Sequence, residues 1–356
     1  MATLRLRDRD AIITKEGLIF RVFGYSHPSN AYICDAEYAP TEILKSDNPK
    51  AFRTDGKRVC YKFYEDEGWL FIKNNFPQHM ILHQALKKKV VGVECKNIAE
   101  VRKPKERLRR LFEKEQKDEL LEAMQNVLEI AAKYSGLSVN NFGVFGSLLH
   151  GFYNPRFSDV DLIVYGRGNV ANMRETLQEL YLKRSSPLTN EFASDEVIRG
   201  KNWRFQNYSP REFLWHQRRK MIYALFTDEK SGRMIKAEFE PVKNWGEVKN
   251  EYDAKTRVSQ KGWVKMFACV TEDDDSPFIP SIYSIKPLAV LDGGKDAGNV
   301  KRIVSYMEEF RVQVQKDEKI YVEGNLEEVI IPRRSFHQIV LTYCPRYYEQ
   351  ALKVVS

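Results

Sequence analysis

The sequence predicts an α+β protein of several domains, on three observations. The chain has 356 residues, which at about 150 residues per domain leaves room for two or three hydrophobic cores. The strongest helical periodicity lies in the middle of the chain, from Pro104 onwards. Both flanks are dominated by short apolar segments divided by Gly, Pro, Asn and Asp. The expected division is a β-rich amino-terminal domain with a basic tail (1–103), a middle domain (104–245) and a small carboxy-terminal β-barrel, OB-like or otherwise (246–356).

Taken in order, Ala11–Thr14 and Leu18–Phe23 flank Lys15-Glu16-Gly17 and predict a hairpin with glycine at the turn. Ala31–Cys34, Val59–Phe63 and Trp69–Lys73 read as further strands. His79–Lys88 reads as a short helix, and Val90–Glu94 as a strand after it. From Pro104, apolar residues at Leu108, Phe112, Leu120, Met124, Val127, Leu128 and Ala131 predict one long helix that exits at Gly136. Phe142–Phe145 and Val160–Tyr165 are short apolar strands. Met173, Leu177, Leu180 and Tyr181 mark a helix, and Ser209-Pro210-Arg211-Glu212 is a capping box that should open another. Met221–Phe226 and Met234–Val242 are strands around a turn at 228–232. In the last hundred residues apolar segments near 263–270, 282–291, 302–306, 310–314, 319–323, 326–331 and 337–343 predict a succession of short strands.

Composition excludes several classes. With 43% hydrophobic and 30% charged residues the chain is neither disordered nor fibrous. No apolar run approaches the ~18–20 residues of a membrane span. MATLRLRDRD has no apolar stretch behind its basic residues, so no secretory signal is expected. Five scattered cysteines without CxxC spacing predict neither a disulfide framework nor a zinc knuckle, and fit a cytoplasmic location.

The net charge of +8 is concentrated: ten basic residues between Lys87 and Arg110 face three acids, Glu94, Glu100 and Glu106. A second cluster comprises Lys201, Arg204, Arg211, Arg218, Arg219 and Lys220 against Glu212. Such clusters attract polyanions through counterion release, although a solvated helix face has the same composition. Lys103, Arg107, Lys201, Arg204, Arg218 and Arg219 are the candidate nucleic-acid contacts. Trp203 and Phe205, interleaved with Lys201 and Arg204, could stack a base or simply fill a core.

The segment that carries chemistry is 141–165, NFGVFGSLLHGFYNPRFSDVDLIVY. Alternation along a strand puts Asp159 and Asp161 on one face and Val160 and Leu162 on the other. Two adjacent carboxylates repel, and Mg²⁺ relieves the repulsion by joining one or two carboxylates to substrate phosphates. Gly146 lets backbone approach a phosphate, and Ser147 adds a hydroxyl and an amide near a helix start. Ser158, just before the acidic strand, is a further candidate phosphate contact. His150, three residues after Ser147, is expected to face solvent.

Gly146-Ser147, an 11-residue spacer and Asp159-Val160-Asp161 between apolar residues together resemble the signature of the DNA polymerase β-like nucleotidyltransferase superfamily. The resemblance covers about 105–245. It implies a mixed sheet with helices on one side and a third carboxylate on a neighbouring strand. Glu238 in Glu238-Phe239-Glu240-Pro241 occupies the acid position, where Asp is usual; Glu240 is the alternative. It further implies two Mg²⁺ (or Mn²⁺) ions held by Asp159, Asp161 and Glu238, with Glu238 helping to accept a proton and Gly146 and Ser147 gripping the triphosphate.

The function expected is transfer of a nucleoside monophosphate from a nucleoside triphosphate to a hydroxyl, with the 3′ end of a nucleic acid, RNA above all, as acceptor. Transfer to a protein or small molecule is the second reading. A non-catalytic nucleic-acid-binding protein with this fold is the third.

Overall fold

The computed structural model describes residues 4–64, 66–114, 118–194, 196, 204–249, 255–332, 334–343 and 346–355. Among the described residues it is a mixed α+β structure with three sheets and few helices. The chain divides into two compact units. Unit 1 comprises Met1–His83, Lys88–Thr189 and Ile222–Glu251; unit 2 comprises Gln84–Lys87, Asn190–Met221 and Tyr252–Ser356. Segments 1–103 and 104–245 thus fall mostly within one unit, while 190–221 groups with the carboxy-terminal segment.

Unit 1 opens with strands β1 (Ala11–Thr14), β2 (Ile19–Val22), β3 (Ala31–Pro40), β4 (Phe52–Thr54) and β5 (Val59–Lys62), then helix α1 (Glu67–Asn75). Strands β6 (Met80–His83), β7 (Lys88–Glu94) and β8 (Ile98–Arg102) follow. The sheet runs β4-β5-β3-β2-β1-β8, with β7 pairing the start of β3 and β6 pairing β7. The β1–β2 hairpin turns at Gly17, whose φ of 87° suits glycine. Trp69–Lys73 lies in α1 rather than in a strand. Its aromatic content favours a strand, but Gly68 and Ile72, four apart, bury one helical face, and Gly68 packs directly on Ala36. His79–Lys88 is strand β6 and a turn into β7 rather than a helix, because Met80–His83 is drawn into pairing with Lys88–Val91.

The long helix from Pro104 is broken into α2 (Pro104–Phe112) and α3 (Glu119–Ser135). Asp118 restarts it, its carboxylate accepting the Leu121 N–H at 3.0 Å, and α3 ends at Gly136 with φ 68°. Strand β9 (Phe142–Val144), helix α4 (Gly146–His150), strand β10 (Val160–Tyr165), helix α5 (Arg167–Leu182) and strand β11 (Leu188–Asn190) follow. Helix α6 (Pro210–Arg218) begins at Ser209, where the predicted reciprocal box with Glu212 forms. Strands β12 (Tyr223–Thr227) and β13 (Met234–Val242) complete a sheet of order β11-β12-β13-β10-β9. In it β10 and β13 are parallel neighbours. Val160, Leu162 and Val164 are fully buried on the face that α3 and α5 cover.

In unit 2, strands β14 (Arg257–Asp275), β15 (Ser281–Asp292), β16 (Val300–Ser305), β17 (Lys319–Ile331), β18 (Arg334–Leu341) and β19 (Ala351–Val354) form one sheet. Its order is β14-β15-β16-β18-β17-β19, and β17 also pairs β14. The expected strand at 310–314 is not one. Phe310, Val312 and Val314 are buried in an irregular segment whose amides bond elsewhere, Val312 to Ser276 O at 3.1 Å and Gln313 to the Tyr283 hydroxyl at 3.0 Å. The apolar pattern there reports burial, not pairing. Among the described residues no helix is long and apolar enough to cross a membrane.

Candidate active site

Asp161 and Glu238 stand directly opposite each other in the β10–β13 register. Parallel pairing in register puts both on one face, and that face changes character along its length. At one end Ile163, Tyr165 and Val242 are buried, and the half-buried Tyr25 and Phe145 pack against them. In the middle, Glu240 is buried against the Arg9 guanidinium at 2.8 Å. At the other end are Asp161, Glu238 and, just before β10, Asp159. Burial, then the charge of Asp159, push the Asp161 carboxyl up to about 7. Two acids are therefore held together at a cost that a cation would remove.

Gly146 lies against Asp161. Its φ is 58°, and a Cβ built on it would come 2.3 Å from Asp161 Oδ2. Only glycine lets the turn between β9 and α4 approach the carboxylate so closely. Ser147, next in α4, is half-buried. Ser158 shapes the loop before Asp159: its hydroxyl accepts the Asn154 N–H at 2.8 Å, and its carbonyl accepts from Arg233 at 2.8 Å. Arg233 also donates to Pro155 O at 2.8 Å, so one guanidinium from the β12–β13 hairpin clamps both ends of the loop.

His150 is buried, contrary to the expectation of a solvent-facing side chain. Its ring packs on Tyr38 at 5.3 Å and on Phe152 at 5.7 Å. Arg102 Nη1 lies 3.2 Å from Nδ1; a guanidinium can only donate, so Nδ1 accepts and the proton rests on Nε2, 3.6 Å from Glu37. Burial holds this imidazole neutral by lowering its pKa. Burial works upward on Glu37, but the neighbouring His150 and Arg21 hold its carboxyl below the ordinary value. The register slips by one residue between Ile19 and Phe20, opposite Glu37, and this bulge frees the side chain for His150.

The amino-terminal segment ties the same region together. Arg7 stacks on Tyr165 at 4.0 Å and donates to Lys243 O at 2.8 Å. Asp10 meets the Lys103 ammonium at 2.7 Å. Composition marks this run as charged, and nothing in its local pattern foretells that Arg7 through Asp10 are buried.

The candidate nucleic-acid contacts have internal partners. Lys103 holds Asp10, and Arg107 donates to Leu148 O at 3.0 Å. In unit 2, Arg204 donates to the Tyr348 hydroxyl at 2.7 Å, Arg218 to Phe192 O at 2.8 Å, and Arg219 pairs with Glu318 while covering Trp215. Lys201 and Trp203 lie outside the described residues.

Among the described residues no group of three or more His, Cys, Asp or Glu side chains is gathered to hold a metal ion. The donor set nevertheless fits Mg²⁺, which takes one or two carboxylates and fills its remaining positions with water and substrate phosphate. The strained Asp159–Asp161 pair and the glycine cradle beside it are what such a cation needs.

Comparison with known proteins gives a family match for part of the chain. Residues 124–232 match the family described as nucleotidyltransferase domain. Residues 124–232 therefore carry a nucleotidyltransferase domain of the polymerase β-like superfamily, and this domain supports a nucleotidyltransferase enzyme. Over 333 residues, 92% of this chain and 92% of the relative, it is 24% identical to an uncharacterized protein of Methanocaldococcus jannaschii, MJ1086. No solved structure matches the chain.

Proposed function

We propose that this protein transfers a nucleoside monophosphate from a nucleoside triphosphate to the 3′ hydroxyl of a nucleic acid, RNA in particular. The observation that carries the reading is the register of Asp161 with Glu238, next to the Gly146 cradle. In the reaction the acceptor oxygen bonds to the α-phosphorus, the α–β bridging bond breaks, and pyrophosphate leaves. Asp159, Asp161 and Glu238 would hold two Mg²⁺ or Mn²⁺ ions. Bound there, such ions acidify the hydroxyl and neutralise the leaving charge. Glu238 is the third carboxylate of this reading because Glu240 is committed to Arg9. Glu238 then also receives the hydroxyl proton. Gly146 and Ser147 seat the phosphates, and Ser158 with Arg233 sets the position of Asp159.

Two features support a nucleic-acid acceptor. Lys87, Lys88 and Lys89 are exposed and adjacent. In unit 2 the pairings β14-β15-β16-β18-β17 return to β14, which supports a small closed barrel. On it the Phe336 ring is flanked by Arg302 at 5.0 Å and Arg334 at 5.9 Å, a combination suited to a stacked base and its backbone. The internal engagement of Arg204, Arg218 and Arg219 favours the second reading, a protein or small-molecule acceptor.

Incubation with each labelled nucleoside triphosphate, Mg²⁺ or Mn²⁺, and separate pools of tRNA, single-stranded RNA, DNA and protein tests the proposal. Label on RNA 3′ ends is the expected result. Label on protein alone selects the second reading, and no label in any pool removes the catalytic one.

A further inference from the structure

The amino-terminal sheet turns one face towards α4, and that face carries a cation, Lys62, which no role above uses. In β5, Cys60 and Lys62 are two residues apart and share a side of the strand. Cys60 is buried in one cluster with Ile13, Ile19, Tyr38 and Phe152, the last lying just beyond α4. Tyr38 is directly opposite Lys62 across β3–β5, and its ring packs on His150 at 5.3 Å and on Phe152 at 5.4 Å. Lys62 therefore leaves the sheet on the side of the Gly146-Ser147 helix. Arg53, opposite Cys60 across β4–β5, shares that side, but its Nη1 donates to Lys50 O at 2.7 Å and to Phe52 O at 2.8 Å. The turn that joins β4 to β5 also reaches α4: a Cβ on Gly151 would come 4.0 Å from Asp55 Cβ.

The nucleotide site needs such a cation. A triphosphate tail is polyanionic, and the acids at this site repel it. Gly146 and Ser147 bring uncharged backbone and a hydroxyl. The other nearby cations are spent: Arg102 on His150 and Glu100, Arg107 on Leu148 O, Arg21 on Asp35, Lys103 on Asp10. The Lys62 ammonium lies 5.6 Å from the Tyr64 ring, on a flexible stem. Its charge acts on both Asp161 and Glu37. An ammonium of this kind binds phosphate as a movable point charge.

We propose that Lys62 receives the triphosphate tail of the incoming nucleotide, so that the amino-terminal sheet completes the nucleotide site. The inference rests on the nucleotidyltransferase reading above, and the test separates the two. Binding of ATP, the other three ribonucleoside triphosphates, AMP and inorganic tripolyphosphate is measured by calorimetry with Mg²⁺ on the full chain. The proteins are wild type, Lys62→Gln, Lys62→Met, Lys62→Arg and, as control, Lys57→Gln in the exposed β4–β5 turn. The expected result is a loss of tenfold or more in triphosphate and tripolyphosphate affinity for Lys62→Gln. Lys62→Met, which keeps an unbranched side chain without the charge, loses the same, Lys62→Arg recovers part of it, and Lys57→Gln and all AMP affinities are unchanged. Wild-type binding with undiminished affinity in both charge-removing variants overturns the role of Lys62 and leaves the enzyme reading intact. Failure of the wild-type protein to bind any nucleoside triphosphate overturns both.

Discussion

Arg9 and Glu240 form a buried ion pair: the guanidinium lies 2.8 Å from the carboxylate, and both side chains are 2% exposed. The pair joins the amino-terminal segment to β13, two residues from Glu238 on the same face. Removing one partner strands the other charge in a dry interior. Arg9→Ala is expected to cost about 3–5 kcal/mol of stability, read by urea denaturation. The double replacement Arg9→Met with Glu240→Leu should recover most of it, and a double variant no better than the single would show that the pair is not what anchors the segment.

Asp161→Asn should abolish nucleotidyl transfer and yet stabilise the metal-free protein. The wild-type carboxyl is raised to about 7 by burial and by Asp159, so at neutral pH it opposes folding. Relief of that repulsion is worth ~1–2 kcal/mol, seen as a melting temperature higher by a few degrees. In wild type, Mg²⁺ should raise the melting temperature, and chelation should reverse the rise; the variant should respond to neither.

Gly146→Ala meets two obstacles, a positive φ and the Asp161 carboxylate at 2.3 Å from the new methyl carbon. The backbone cost is about 1–2 kcal/mol. Because the methyl displaces Asp161, transfer should fall about 100-fold or more while circular dichroism stays native. Unchanged kcat would mean that the turn and the carboxylate are not functionally joined.

His216 sets a pH dependence in unit 2. Burial, with the Arg219 and Lys220 charges, lowers its pKa from 6.5 to about 4, while Nδ1 donates to Gln313 O at 3.0 Å. The folded protein keeps it neutral, and the unfolded chain takes up the proton below pH 6.5. Stability from this group is complete above 6.5 and is lost as pH falls towards 4, by about 2–3 kcal/mol. Between pH 7 and 4.5 His216→Asn should lose correspondingly less stability than wild type. Part of the slope will remain, since burial lowers His27 to about 4 as well.

What the sequence makes legible here is local. Gly146-Ser147 and Asp159-Val160-Asp161 are read from spacing and alternation, and the Ser209–Glu212 box and the Gly136 exit from capping chemistry. The choice between Glu238 and Glu240 is not legible, because both share a face of β13. What separates them is Arg9, 231 positions away in the chain. Trp69–Lys73 misleads because aromatic content outweighs a helical face defined by only Gly68 and Ile72. His150 misleads because the ring that buries it, Tyr38, comes from a different sheet.

The chain passes between its two units five times, at 83/84, 87/88, 189/190, 221/222 and 251/252. A single protease cut at any one of these passages leaves four covalent tethers, so limited digestion will not release either half as a free fragment. Excision at one boundary cannot isolate unit 1, which has to be made whole or rebuilt by closing several gaps at once.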